Sequence, residues 1–236
     1  MASVFRFKQF EIDQTNAPFK IGTDGLLLGA WATHSNPEHI LDVGTGTGLI
    51  ALMMAQRYSN SQVKAVEINP NAAEIAHSNF LKSPWRNRLQ IESADYSNFG
   101  SFEKFDLIVS NPPFFSNSKL SGNKGKDLAR HNENLNLKQL IITSKKLLRK
   151  EGKLAIIIPS EQQAKASIVA ESIGLFICRC CKIKPTPTSS IKRVMLEFTS
   201  VFAEKKSEEL VVEIAGRHNY SEEYERLANP FLLDKN

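Results

Sequence analysis

The stretch ILDVGTGTGLIAL, residues 40–52, joins an apolar run, three closely spaced glycines and a second apolar run. This order predicts a buried strand, a tight turn and the first turns of a helix. Glycines accept positive φ and let a ligand approach the backbone, and the unpaired N–H groups of a helix N-terminus favour anionic groups. The stretch therefore predicts the first βα unit of an α/β domain, with a ligand site at its turn.

The glycine spacing and the residue before the turn indicate which ligand would bind there. A dinucleotide-binding turn has its third glycine at the position that Leu49 occupies here. A carboxylate at the strand end suits a cationic amino group, such as that of S-adenosylmethionine, better than a pyrophosphate. A glycine-rich turn is common in α/β proteins and is not specific by itself. The predicted cofactor-binding residues of this stretch are Asp42, Gly44, Thr45, Gly46 and Gly48.

Two further acidic residues stand at the ends of predicted strands. Glu67 ends the next strand, about 20 residues past the turn, where a carboxylate can accept from both hydroxyls of a ribose. Nicotinamide enzymes share this feature, so Glu67 does not discriminate between cofactors. Ile68 would pack on one face of an adenine ring. Asp95 follows the strand at 89–92 and could accept from the cofactor's adenine amine, or it could simply cap a loop.

The tetrapeptide Asn111-Pro112-Pro113-Phe114 follows the apolar run at 105–110 and predicts a catalytic loop. The exocyclic amine of adenine is a poor nucleophile because its lone pair is delocalised. The Asn111 side-chain oxygen and the Pro112 carbonyl could accept its two N–H bonds, and the prolines would aim both acceptors in advance. Phe114 could stack on a flipped base. An ordinary proline turn after a strand is the alternative.

Four successive predicted strands thus end in a polar residue: Asp42, Glu67, Asp95 and Asn111. Open α/β sheets bind ligands at the carboxyl ends of their strands. With this series the chain resembles the S-adenosylmethionine-dependent methyltransferases of the Rossmann-like fold.

Segments outside these motifs make the resemblance more specific. KIGTDGLLLGAWA at 20–32, Ala129-Arg130-His131, IKRVMLEF at 191–198 and YSEEY at 220–224 are similar to the family of bacterial tRNA1(Val) adenine-N6 methyltransferases. That family modifies the adenosine immediately 3′ of the anticodon. The resemblance covers nearly the whole chain.

The resemblance implies an α/β, Rossmann-like class I methyltransferase with a mostly parallel seven-stranded sheet, helices on both faces and a reversed strand near the C-terminus. It implies a single domain over 1–236, made of an N-terminal hairpin and helix at 1–35, a core at 36–202 and a C-terminal extension at 203–236. S-adenosylmethionine is the implied cofactor, with Thr23 near its carboxylate, and a tRNA is the implied partner. Transfer needs no metal.

Sequence patterns predict the remaining elements. The alternation over 4–12 predicts a hairpin strand, Thr23 or Asp24 can cap a helix through Ala32, and Asn69 can cap a helix that begins at Pro70. Further along we expect helices over 135–148 and 161–173, and strands over 154–158, 175–183 and 191–202.

Composition places the chain among soluble proteins. Of its 236 residues, 42% are hydrophobic and 23% charged, and no apolar run reaches the ~18 residues of a membrane span. The first residues carry no apolar signal core, so we expect a cytoplasmic protein without a membrane partner. Cys178, Cys180 and Cys181 lack metal-ligand spacing and predict buried or half-buried free thiols, with Cys181 facing the side opposite to the other two.

The net charge of +5 fits a polyanionic partner without requiring one. Basic residues are dense after the catalytic loop and near the end of the chain, where phosphate contacts would make binding sensitive to salt. A solvated helix face is the alternative reading of such residues. The candidate RNA-binding residues are Arg130, His131, Lys192 and Arg193.

Other functions fit the same catalytic loop. An rRNA guanine-N2 methyltransferase presents a similar amine, and a protein glutamine-N5 methyltransferase presents an amide nitrogen. A protein of a different class, which binds RNA without catalysis, would keep the fold; the intact Asn111 and Asp42 argue against it.

Overall fold

The computed structural model describes residues 4–18, 20–100, 103–113 and 136–234. Ten strands and six α-helices lie in these ranges. The strands are β1 Val4–Arg6, β2 Glu11–Asp13, β3 His39–Val43, β4 Gln62–Glu67, β5 Leu89–Ser93, β6 Phe105–Ser110, β7 Leu148–Pro159, β8 Phe176–Lys184, β9 Arg193–Thr199 and β10 Lys206–Val211. The helices are α1 Thr23–Trp31, α2 Leu49–Arg57, α3 Pro70–Lys82, α4 Leu137–Leu147, α5 Gln163–Glu171 and α6 Glu222–Ala228.

The main sheet has the strand order β10-β8-β9-β7-β6-β3-β4-β5. Strand β9 is antiparallel to both of its neighbours, and the other pairs are parallel. The sheet is therefore mostly parallel with one reversed strand near the C-terminus, as predicted. Helices cover both faces: α1, α2, α3 and α6 pack on one side, and α4 and α5 on the other.

The predicted number of seven strands is wrong, because the sheet has eight. The additional strand, β10, comes from the C-terminal extension and pairs in parallel with β8. Its sequence KSEELV lacks an apolar alternation, and Leu210 is its only buried residue. Sequence periodicity finds a strand by its buried face, so a polar edge strand of this kind gives no signal.

The central strands are apolar because they are covered on both sides. All six residues of β6, which lies between β3 and β7, are buried. Such runs are typical of parallel sheets with helices on both faces. Cys180 and Cys181 pack into the clusters on opposite faces, as predicted, and all three cysteines are free thiols.

The N-terminal segment forms a small sheet of its own. Strands β1 and β2 pair as an antiparallel hairpin, and Phe7 forms a bridge with Leu232 near the other end of the chain. The predicted side-chain cap of α1 is wrong, because Gly22 occupies the cap position and no side chain bonds there. The predicted cap of α3 is confirmed: the Asn69 side chain accepts from Ala72 N.

Candidate active site

The carboxyl ends of four adjacent strands lie level with one another. Val43, the last residue of β3, is paired with Val66 on β4 and with Ser110 on β6. Glu67 at the end of β4 is paired with Ser93 at the end of β5. The polar residues that end or follow these strands therefore meet at one edge of the sheet, where the sequence predicted a site.

The glycine-rich turn combines an open face with a packed one. Gly44, Gly46 and Gly48 have φ values of 69°, 59° and 91°, which side chains rarely adopt. A Cβ at Gly44 or Gly46 would meet nothing within 4 Å, so this part of the turn leaves room for a ligand. A Cβ at Gly48 would lie 2.6 Å from Phe80 Cε1, so Gly48 lets the turn pack against α3.

Asp42 lies beneath this turn and is completely buried. Its Oδ2 accepts from Thr45 Oγ1 at 2.6 Å and from Ala51 N at 3.0 Å, which ties the turn to the start of α2. Its Oδ1 is also buried and has no partner among the described residues. Burial raises the pKa of Asp42 to about 7, against the lowering effect of the Thr45 and Ala51 hydrogen bonds.

Glu67 joins the turn to the next helix. Its Oε2 accepts from Gly46 N at 2.9 Å, and its Oε1 accepts from Asn69 N at 2.9 Å. The carboxylate thus lies against the open face of the turn. The next side chain, Ile68, is 40% exposed and leaves an apolar surface on which a ring can pack.

Asp95 acts as a cap in this structure. Its Oδ1 accepts from Ser97 N at 2.8 Å and its Oδ2 from Ser97 Oγ at 2.7 Å, at the start of a short 3-10 turn. The residue is exposed at the same sheet edge. The capping role is therefore present, and a contact with a cofactor amine stays a prediction.

Asn111 follows β6, next to the end of β3, and faces the first turn of α1. Ser110 Oγ, immediately before it, donates to Val43 O at 2.9 Å and joins the two strand ends. A Cβ at Gly25 of α1 would lie 3.7 Å from Asn111 Nδ2. Pro112 is buried and Pro113 is exposed. The predicted Phe114 lies outside the described residues.

An ion pair joins α1, which faces Asn111, to the start of β9. Arg193 Nε donates to Asp24 Oδ2 at 2.8 Å, and Arg193 lies opposite Pro159 at the carboxyl end of β7. Thr23 is the exposed first residue of α1, and Lys192 is exposed beside Arg193. The predicted Arg130 and His131 lie outside the described residues.

Sequence reasoning missed one residue that holds the site together. Asn79 of α3, which is 1% exposed, donates to Thr47 O in the glycine-rich turn at 2.9 Å. It also accepts from Asp13 N at 3.0 Å and donates to Asp13 O at 3.1 Å, so the N-terminal hairpin is tied to the turn through it. A single asparagine on a helix gives no sequence signal for such a bridge.

The features at this edge fit S-adenosylmethionine. The buried, unpartnered Asp42 Oδ1 offers negative potential to a cation, Gly44 and Gly46 leave an open cradle, and Ile68 offers an apolar surface for an adenine ring. Over the described ranges, no group of three His, Cys, Asp or Glu side chains could hold a metal ion. Within the same ranges, no helix is long and apolar enough to span a membrane.

Known proteins share both the sequence and the fold. Residues 17–176 match the family model of the methyltransferase small domain. A tRNA1(Val) (adenine(37)-N6)-methyltransferase of Christiangramia forsetii is 44% identical over 234 residues, which cover 97% of each chain. The enzyme of the same name from Porphyromonas gingivalis is 41% identical, over 97% of this chain and 94% of that one.

Solved structures support the fold alone, because their sequences are distant. A predicted O-methyltransferase from Agrobacterium tumefaciens has a TM-score of 0.68 and 20% identity over 88% of this chain and 96% of that one. A glycopeptide N-methyltransferase solved with S-adenosylmethionine has a TM-score of 0.57 and 11% identity over 78% of this chain and 96% of that one. The sheet described above is thus the class I methyltransferase fold, and the chain belongs to the tRNA1(Val) (adenine(37)-N6)-methyltransferase family.

Proposed function

We propose that this protein transfers a methyl group from S-adenosylmethionine to the exocyclic N6 of the adenosine 3′ of the anticodon in a valine tRNA. The observation that carries the proposal is the position of Asn111 directly beside the glycine-rich turn, fixed by the hydrogen bond from Ser110 Oγ to Val43 O. This arrangement brings the loop that we assign to the amine and the turn that we assign to the cofactor to one edge of the sheet. The relatives that cover nearly the whole chain carry the same activity in their names.

The cofactor would supply an electrophilic methyl group on a sulfonium. We assign Gly44, Gly46 and Gly48 to shaping the turn, with Asp42 and Thr45 bracing it from below. The negative potential at Asp42 Oδ1 would favour the cofactor's ammonium group. The remaining cofactor contacts that we propose are Glu67 to the ribose hydroxyls, Ile68 to the adenine ring, Asp95 to the adenine amine and Thr23 to the carboxylate.

The chain's own part in the chemistry would be to orient the amine and stabilise its developing charge. The Asn111 oxygen and the Pro112 carbonyl would accept the two N–H bonds, so that the lone pair points at the methyl carbon. Pro113 would hold the loop in shape and Phe114 would stack on the flipped base. The amine forms the new N–C bond as the S–C bond breaks, and the methylated product then releases a proton to water.

The RNA would approach over the same edge. We assign phosphate contacts to Arg130, His131, Lys192 and Arg193, since such contacts fix the register of a nucleic acid without reading its bases. We also propose that the chain works as one domain and acts in the cytoplasm, because the tRNA substrate that we assign to it is used there.

The proposal is tested by methyl transfer from labelled S-adenosylmethionine to unmodified transcripts of valine tRNA, followed by nucleoside digestion. We expect label in N6-methyladenosine, and no label when the adenosine 3′ of the anticodon is replaced. Label that appears instead in N2-methylguanosine of ribosomal RNA would contradict the proposed substrate and favour the guanine-N2 alternative. Label on a protein glutamine, or no transfer at all, would contradict it as well.

A further inference from the structure

An exposed hairpin stands at the same edge of the sheet as Asn111. Strand β10 runs in the same direction as β8, so the chain leaves it at the carboxyl edge. Residues 212–221, which we name the distal hairpin, then fold back: Glu213 bridges to Tyr220, and Ile214 N donates to Asn219 O at 2.8 Å. All residues at its tip, 214–219, are exposed.

The distal hairpin is fixed in place rather than loosely attached. Val212 N donates to Lys184 O and Glu213 N to Pro185 O, each at 2.9 Å, so it is docked on the connection between β8 and β9. The ring of Tyr220 stacks on buried Tyr224 of α6, with their centroids 4.4 Å apart. A surface held in this way can bind without first being ordered.

The tip is also held in an uncommon backbone conformation. His218 has φ of 68°, and its N–H donates to Glu213 Oε1 at 2.9 Å. The His218 Nδ1 lies 3.2 Å from the Tyr220 hydroxyl. Non-glycine residues at positive φ are sparse and often mark functional sites. Here the conformation presents Arg217 and His218 side by side to solvent.

Two cations along this edge are free to meet a phosphate. The side chains of Arg217 and Lys192 are exposed and form no ion pair with residues in the described ranges, whereas Lys184 is neutralised by Glu209 at 2.8 Å. Thr188 and Ser190, on the connection between β8 and β9, are exposed as well. The nearby acids are Glu213, which is bonded to His218 N, and Glu222, Glu223 and Glu225 in the first turn of α6, so the attraction for a phosphate depends on Arg217 itself and not on the net charge of the surface.

The spacing matches an extended ligand that enters the active site at one end. Four strand-to-strand steps separate β10 from β6 in the sheet, a distance of about 19 Å. A single nucleotide bound at Asn111 would not reach the distal hairpin. A stretch of several nucleotides, or the stem that continues from a loop, would lie across it.

We propose that the distal hairpin binds the phosphate backbone of the substrate RNA at a distance from the modified base, with Arg217 as its main phosphate ligand and His218 stacking on or bonding to the RNA beside it. This inference rests on the proposed function. It adds a surface for the RNA partner to the one around Asn111.

The test compares Arg217→Gln with Lys205→Gln in binding to a valine tRNA transcript at several salt concentrations. Lys205 is an exposed lysine just before β10, at the opposite edge of the sheet, so its loss changes the net charge equally. Loss of one phosphate contact should flatten the dependence of log affinity on log salt by about 0.7 and raise Kd about fivefold at 0.1 M salt. Arg217→Lys should restore most of the affinity because the charge is kept.

The outcomes separate this inference from the proposed function. Equal Kd values and salt slopes for Arg217→Gln and Lys205→Gln would overturn the distal hairpin as an RNA site, and so would an Arg217→Lys variant that binds as poorly as Arg217→Gln. S-adenosylmethionine binding, measured on the same variants, should be unchanged. If Arg217→Gln bound neither S-adenosylmethionine nor the tRNA, Arg217 would support the fold rather than bind a phosphate, and the inference would be contradicted. A wild-type protein that methylates no tRNA would instead contradict the proposed function.

Discussion

Gly25 in the first turn of α1 faces Asn111 at the end of β6, and a Cβ at Gly25 would lie 3.7 Å from Asn111 Nδ2. The same Cβ would lie 3.3 Å from Leu49 Cδ2, at the start of the helix that follows the glycine-rich turn. One glycine is thus close both to the Asn111 loop and to the helix that follows the glycine-rich turn. A methyl group fits there with a small shift of Leu49, whereas a branched side chain would also press on Asn111.

Enlarging Gly25 should therefore damage transfer in proportion to the size of the new side chain. Gly25→Ala should keep stability within about 1 kcal/mol, since a small shift of Leu49 is offset by the better helix propensity of alanine. Gly25→Val should displace the Asn111 amide and lower kcat about 100-fold, which is typical of a 1 Å misplacement in an active site. Single-turnover methyl transfer at saturating cofactor measures this.

Gly22 provides the matched control for that substitution. It precedes α1 and has an extended backbone, and a Cβ at this position would meet nothing within 4 Å. Gly22→Val should keep transfer near the wild-type rate. If Gly22→Val and Gly25→Val lower kcat equally, the loss comes from the helix and not from contact with Asn111.

Asn111 itself should be required for transfer and not for cofactor binding. Asn111→Ala removes one of the two proposed acceptors for the amine, and the loss of such a group costs about 100- to 1000-fold in kcat. The Kd for S-adenosylmethionine, measured by calorimetry, should stay close to that of the wild type. Asn71→Ala, at an exposed position in α3, controls for the loss of an asparagine. Substantial residual turnover in Asn111→Ala would refute the mechanism.

The polar residues at the strand ends could be predicted from the sequence because the residues next to them mark their positions. The glycine-rich turn, the carboxylates of Asp42 and Glu67 and the Asn111 loop each follow an apolar run, and parallel strands bring such positions to one edge. Side-chain partners across the fold could not be predicted in this way. The pairs Gly25–Asn111 and Arg193–Asp24 join residues far apart in sequence and follow no periodic pattern.

The sequence also fails to predict strands, helix caps and side-chain contacts that depend on polar residues. Strand β10 has one buried residue, so no alternation marks it, and α1 has a glycine at the position where the sequence predicts a capping side chain. Asp95 shows why such residues are ambiguous: the same carboxylate can cap a turn or bind a ligand, and sequence alone gives both alternatives equal support. The buried bridge made by Asn79 depends on three elements that only the fold brings together.

The hydrogen bonds of Asn79 should stabilise both the whole protein and the glycine-rich turn. Asn79→Ala leaves the buried Thr47 carbonyl without its side-chain partner, which costs about 1 to 3 kcal/mol. The two backbone groups of Asp13 also lose this partner, but they are only part-buried and can bond to water instead. We expect the free energy of unfolding to fall by about 2 to 3 kcal/mol, measured by urea denaturation. Affinity for S-adenosylmethionine should fall too, because the glycine-rich turn loses its hydrogen bond to α3.

Ser78→Ala is the control for this change, since Ser78 is the exposed neighbour of Asn79 on α3. It should leave the free energy of unfolding within about 0.5 kcal/mol of the wild type. An Asn79→Ala protein with unaltered unfolding and unaltered cofactor affinity would show that the hairpin and the turn do not depend on one another.

The raised pKa of Asp42 predicts that cofactor affinity depends on pH. In the free protein, burial raises this pKa to about 7, so the carboxyl is largely protonated at pH ~6. A cofactor cation beside Oδ1 favours the ionised form, so the pKa falls on binding and a proton is released. Affinity should therefore increase as the pH rises from about 5.5 to 7 and level off above 7, by up to about tenfold per pH unit. Above pH ~8 the ligand's own amino group loses its charge and the gain is reversed.

Asp42→Asn separates this effect from other titrations. The amide cannot ionise but can still accept from Thr45 and Ala51 through its oxygen, so the turn keeps its support. Calorimetry in two buffers of different ionisation enthalpy would detect the released proton at pH ~6.5 in the wild type and none in Asp42→Asn. The variant should bind more weakly at pH ~7.5 and show a flat profile between about pH 5.5 and 7. Identical profiles of affinity against pH for the two proteins would mean that another group compensates the cofactor's charge. Glu67, whose Oε2 accepts from Gly46 N, is then the carboxylate to replace.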